Sequence, residues 1–180
     1  MQKIILIFCF LSITSFVYSQ TASVVEKGNY KYQNKIDSAM VSCYFITNSD
    51  AEKILEKPAH LIDSACKFSS NVLRYRFDYV ADYKDSTSKG KIFFTFEQYK
   101  NDTIAKDIYH TIKSENEKNG SITKMDDIGE DSFLQKDNLN QPFIIFRKEN
   151  KIFKLKVYYL TSKTSLDELI RISKKIAQSH

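Results

Sequence analysis

Only four glycines are present and they are scattered, so no glycine-rich loop is available to cradle a phosphate. GxSxG and HExxH are both missing, which removes the nucleophile-elbow handle for an activated serine and the helical handle for a zinc-bound water. His60, His110 and His180 stand far apart, with no second histidine three or four places away. Each reads as an ordinary structural histidine rather than half of a metal or acid–base pair. There is no CxxC, no internal repeat and no low-complexity segment. No apolar run reaches the roughly 20 residues that a spanning helix needs. These gaps leave no catalytic, metal or cofactor motif, and the expected cofactor complement is none.

What the first residues do contain is MQKIILIFCFLSITSFVYS, with one early cation at Lys3 and an apolar stretch from Ile4 to Leu11. Val17-Tyr18-Ser19 supplies a cleavage site before Gln20. Residues 1–19 therefore read as a secretory signal peptide, with Ser12, Thr14 and Ser15 breaking the apolar run. Cys9 follows bulky Phe8 and lies too near the N-terminus for lipid attachment. The expected location is exported, periplasmic or extracellular, with no transmembrane segment in the mature chain. Removing the leader takes away one cation and no acid, so the net charge falls from +5 to +4. That mild excess, together with export, argues against nucleic acid as a partner.

Two cysteines then remain. In an oxidising compartment, Cys43 and Cys66 read as one disulfide, contributing about 3 kcal/mol by shortening the unfolded chain's loops. Zinc is a weak rival without a neighbouring histidine, and two separate buried thiols or one reactive thiol stay open. Residues 20–42 are polar and aperiodic at first and read as an arm or tether. Residues 43–180 are expected to form a single domain, long enough for its own core.

Within that domain the clearest signal is Pro142 to Leu160. A turn at Glu149-Asn150 places Lys148 opposite Lys151, Phe146 opposite Phe153 and Ile144 opposite Leu155. Ile144, Phe146, Phe153, Leu155, Val157 and Tyr159 then share one apolar face. Upstream, Cys66 to Ser69 and Val72 to Ala81 read as strands joined at Ser70-Asn71, and Lys91 to Glu97 as a third strand. Asn101 is a candidate N-cap for a helix carrying Ile104, Ala105, Ile108, Tyr109 and Ile112 at helical spacing, closed by Asn119-Gly120. Ser121 to Asp126 and Ser132 to Gln135 are short strand candidates. Two capping boxes, Ser49 with Glu52 and Ser165 with Glu168, open helices ending near Leu55 and Ala177. The sum is α+β: an antiparallel β-sheet with about three helices packed on it.

On Cys43, the Thr47 to Leu55 helix, Cys66 at a strand, Asp127-Ile128-Gly129-Glu130-Asp131-Ser132-Phe133, the Arg147 to Lys151 hairpin and the Leu169 to Ala177 helix, the chain resembles exported bacterial domains of unknown function with a PsbP-like α/β sandwich fold. The resemblance covers about Cys43 to the C-terminus and implies a non-enzymatic binding or accessory module. It brings no site residues with it, and Glu149 stands where such hairpins often have glycine.

Two constellations remain. Asp126, Asp127, Glu130 and Asp131 crowd carboxylates beside Gly129, as a calcium loop would, but without EF-hand alternation they read as a solvated acidic turn. The second face of the hairpin carries Phe143, Ile145, Arg147, Ile152, Lys154, Lys156 and Tyr158. Its aromatic and cationic mixture suits an anionic or carbohydrate-like ligand or a protein partner. A half-covered sheet face guarded by lysines is the plainer reading. The expected function is a secreted or periplasmic, non-catalytic module that binds a cell-envelope component or partner protein. The alternative is a small envelope hydrolase whose site is assembled from scattered residues.

Overall fold

The structure, a computed structural model, describes residues 45–69, 71–82, 90–159 and 163–179. The expected leader, the 20–42 arm, Cys43 and His180 lie outside the described residues. The chain divides into two units, Met1–Phe45 and Ile46–His180, and the account below concerns the second. Its elements run α1 (Asn48–Leu55), β1 (Ala59–Ser69), β2 (Val72–Ala81), β3 (Lys91–Gln98), α2 (Asp102–Asn119), β4 (Ile122–Lys124), β5 (Asp131–Lys136), β6 (Pro142–Lys148), β7 (Lys151–Tyr158) and α3 (Lys163–Ser179). The strands form one antiparallel sheet in the order β1-β2-β3-β7-β6-β5-β4, so the class is α+β as the patterning predicts.

The β6–β7 hairpin takes the register its sequence dictates, with Ile144 on Leu155, Phe146 on Phe153 and Lys148 on Lys151. Glu149 enters the left-handed region at φ 51° to make the turn. From there one face propagates outward by the period of two. Tyr75, Phe96, Phe153 and Phe146 sit side by side on β2, β3, β7 and β6, with successive ring centroids 5.7, 5.1 and 4.7 Å apart. Those spacings fall within the range where aromatic pairs add to simple burial. Ile92, Phe94, Ile144, Leu155 and Val157 complete this inner face, all buried.

Helices α1 and α3 pack against each other, and each also meets the sheet. Ala51, Ile54 and Leu55 are the buried stripe of α1, and Leu169, Ile172, Ile176 and Ala177 that of α3. Asp50 ties the two, because its carboxylate accepts from Lys175 Nζ at 2.9 Å while capping its own helix. Burial raises the Asp50 pKa, but Lys175 and the Thr47 donors outweigh it and hold the group below its ordinary value.

Several local expectations need correction. The capping box of α1 is Thr47 with Asp50, two residues before the Ser49 and Glu52 pair. Ser165 lies inside α3, which starts at Lys163, and is buried rather than at a cap. Strand β1 begins at Ala59, seven residues before Cys66, because a bulge between Leu61 and Asp63 and solvent on its far side erase the alternation that marks a strand. Cys66 is an exposed cysteine with no disulfide among the described residues, and Cys43, its expected partner, lies outside them.

Candidate functional site

The outer face of the sheet carries the candidate residues, and helix α2 divides it. Ala105 and Tyr109 of α2 press on Phe133 of β5, Ile145 of β6 and Ile152 of β7, joined by Tyr99 in a second, smaller core. Ile145 and Ile152, expected among the ligand-facing residues, are therefore buried beneath α2. The helix uses a narrower stripe than its spacing implies: Ile104 and Ile108 are 40% and 37% exposed.

Arg147 lies at the margin of this second core, with 6% of its side chain exposed. Three carboxylates meet its guanidinium: Asp102 at the start of α2, Glu130 before β5, and Asp131 at 3.4 Å. The Arg147 Nη1 group also donates to the Glu149 carbonyl at 3.0 Å. Its own carbonyl accepts from the Glu130 amide at 2.9 Å. Gly129 is what lets the backbone approach so closely. Its φ is +66°, and a Cβ placed there would stand 2.3 Å from the Arg147 carbonyl oxygen. The acidic stretch is thus explained by its cation. Glu130 and Asp131 face Arg147, while Asp126 and Asp127 stay well exposed near Lys124 and Lys174.

Beyond α2 the same face is open, and three of the expected residues lie there, Lys154, Lys156 and Tyr158, with Phe143 at the boundary, packed against the second core on one side. Strands β2 and β3 add Arg74, Arg76, Asp78, Phe93, Thr95 and Glu97 through their registers. Glu97 is the hinge of this surface, with 3% of its side chain exposed. It accepts from Arg74 Nε at 2.5 Å, Lys154 Nζ at 3.1 Å and the Tyr99 hydroxyl at 2.9 Å. Burial raises its pKa, yet Lys154, Tyr99 and Arg74 together hold it below the ordinary value of 4.5. One buried carboxylate thereby serves two half-exposed cations.

Next to it, Arg76 pairs with Asp78 through Nε at 2.8 Å and lies 5.9 Å from the centroid of Phe93. Phe93 meets Tyr158 edge-on with centroids 5.2 Å apart. Lys156 completes the row, its Nζ 4.7 Å from the Tyr158 centroid and 5.9 Å from that of Phe143. Burial lowers the Lys156 pKa, but Asp137 at 2.9 Å and Tyr158 outweigh it, so the ammonium is held charged. Asp137 is itself pinned by the amides of Leu139 and Gln141. What results is a shelf of alternating cations and rings.

Arg74, Phe93, Glu97 and Asp137 were not singled out from the sequence. The alternation in β2 and β3 does place the first three on the polar face, but only the β3–β7 pairing brings them to Lys154 and Lys156. Among the described residues, no helix is long and apolar enough to cross a membrane. The chain matches no protein-family model, no curated protein and no solved structure.

Proposed function

We propose that this chain is an exported, non-catalytic binding or accessory module whose open outer face takes up an anionic component of the cell envelope or an acidic partner protein. The observation that supports this reading is charge stoichiometry on the shelf. Four cations, Arg74, Arg76, Lys154 and Lys156, share three carboxylates, Glu97, Asp78 and Asp137, and two of those cations lie against half-buried rings. An incoming carboxylate or phosphate completes the count without stripping a buried acid of its partner. The PsbP-like resemblance and the signal peptide point the same way, toward an accessory role outside the cytoplasm.

The variant that tests it is Lys156→Gln with Tyr158→Ala. Lys154 is left in place because it holds buried Glu97, whereas Asp137 keeps its two backbone donors when Lys156 is lost. Native envelope fractions passed over immobilised chain are expected to leave a salt-sensitive bound component on the wild type and none on the variant. The melting temperature should move by no more than a few degrees. Equal retention by both chains would falsify the assignment of this face.

A further inference from the structure

Strand β1 ends the sheet, and from Ile62 to Ser69 every residue of it is exposed. Eight consecutive exposed residues on an edge strand are a template for another strand, and proteins ordinarily keep such edges short or covered. Both charges on this edge directly face a like charge across the ladder, although Asp63 also lies within the field of Arg76 on the diagonal. Asp63 stands opposite Asp78 and Lys67 opposite Arg74, and those two partners are already engaged by Arg76 and Glu97. Like charges directly opposite weaken a strand pair.

We propose that β1 is the contact edge of a homodimer, in which two copies pair this strand antiparallel about a twofold axis at Ala65. In that register Asp63 of each copy faces Lys67 of the other, so two charges that each face a like charge within their own sheet gain an opposite one directly across the contact. Ile62 meets Phe68 on the opposite face, joining two large apolar side chains that are 51% and 54% exposed. Ser64 falls opposite Cys66. The contact is isologous, as a twofold pair requires, and it joins two seven-stranded sheets into one.

The backbone permits this register. Ser69 pairs with Val72 across a two-residue turn, which makes that the hydrogen-bonded pair of the hairpin. Counting back by twos, Cys66 and Ser64 aim their amide and carbonyl groups at the edge that no described strand pairs with, and pairing Ser64 with Cys66 joins two such residues. Neighbouring registers of the same parity do worse. Centring on Cys66 sets Asp63 against Ser69 and Lys67 against Ala65, and centring on Asp63 or Lys67 sets like charges face to face.

The register is read by cross-linking in the full chain with Cys9, Cys43 and Cys66 all changed to serine. Ala65→Cys puts two thiols directly opposite in a non-hydrogen-bonded pair, with Cα atoms about 4.5 Å apart, and is expected to give a disulfide-linked dimer in air. Ser64→Cys sets its thiols on a diagonal of roughly 7 Å or more and is expected to cross-link poorly. Sedimentation of the uncross-linked chain supplies the second measurement. Asp63→Lys and Lys67→Asp should each weaken self-association about tenfold, by placing two like-charge pairs in the contact. An equimolar mixture of the two variants should recover it, because only the mixed dimer restores opposite charges. A wild-type chain that sediments as a monomer up to millimolar concentration overturns the proposal. So does equal cross-linking at positions 64 and 65, or a mixture no tighter than its components.

Discussion

Two halves of one sheet face, built by the same strands, meet opposite fates. Under α2, Ile145 and Ile152 are buried and one cation, Arg147, is surrounded by three carboxylates. A few residues further along β6 and β7, Phe143 and Tyr158 are only partly covered, and four cations share three acids. Composition along the strand does not distinguish them, since both halves alternate rings, aliphatics and bases. What differs is whether a helix lies on top, and the local charge balance inverts with it: acid in excess at the helix edge, base in excess on the open shelf.

The sharpest way to break this comparison is to delete equivalent side chains from the two halves. Ile152→Ala opens a cavity between β7 and α2 and is expected to cost about 3 to 5 kcal/mol in denaturant unfolding. A cost below about 1 kcal/mol would mean that α2 does not seal this half. Arg147→Met comes next. It leaves Asp102, Glu130 and Asp131 converging without their cation, at a cost of about 2 to 3 kcal/mol, at or below the bottom of the buried-pair range because the three carboxylates are themselves half-exposed.

Glu97→Gln probes the boundary between the halves and should cost about 1 to 2 kcal/mol at neutral pH, through Arg74, Lys154 and Tyr99. Its pH signature is more telling than its size. The folded-state pKa of Glu97 lies below the ordinary 4.5, so its contribution is complete above that value and fades as the pH falls through the folded pKa. The stability gap between the wild type and Glu97→Gln should therefore be constant above the ordinary value of 4.5 and close only as the pH falls through the lower folded-state value. Parallel curves throughout would show that the carboxylate is not ionised in its cluster. Tyr158→Ala has the smallest expected effect, about 1 kcal/mol or less, because its ring keeps solvent on one side. A loss matching that of Ile152→Ala would erase the distinction between the two halves.

How much of this was legible beforehand follows the range of each interaction. The β6–β7 register could be read because a two-residue turn fixes every pair that follows, and the inner face then follows from the period of two. The helical stripe of α2 announced a helix but not its landing place. Ile104 and Ile108 looked as apolar as Ala105 and Tyr109, and only the tertiary placement separates them. Of the seven expected ligand-facing residues, Phe143, Ile145, Ile152 and Arg147 lie in or beside the second core for the same reason. The Asp126 to Asp131 cluster drew notice as an isolated acidic run, because its cation enters from a strand many residues downstream. Strand β1 was half missed, since an exposed edge with a bulge has no hydrophobic rhythm to read.

The middle of the sheet also carries a kinetic consequence. Strands β3 and β7 pair along their full length, Lys91 with Tyr158 through Gln98 with Lys151, although α2 and three other strands intervene in the chain. The β1–β2 and β6–β7 hairpins can each zip from a two-residue turn, but joining β3 to β7 requires closing a long loop before any contact repays the lost entropy. Refolding of this molecule should accordingly be limited by the meeting of two preformed halves, and the aromatic row from Tyr75 to Phe146 is the last piece to lock.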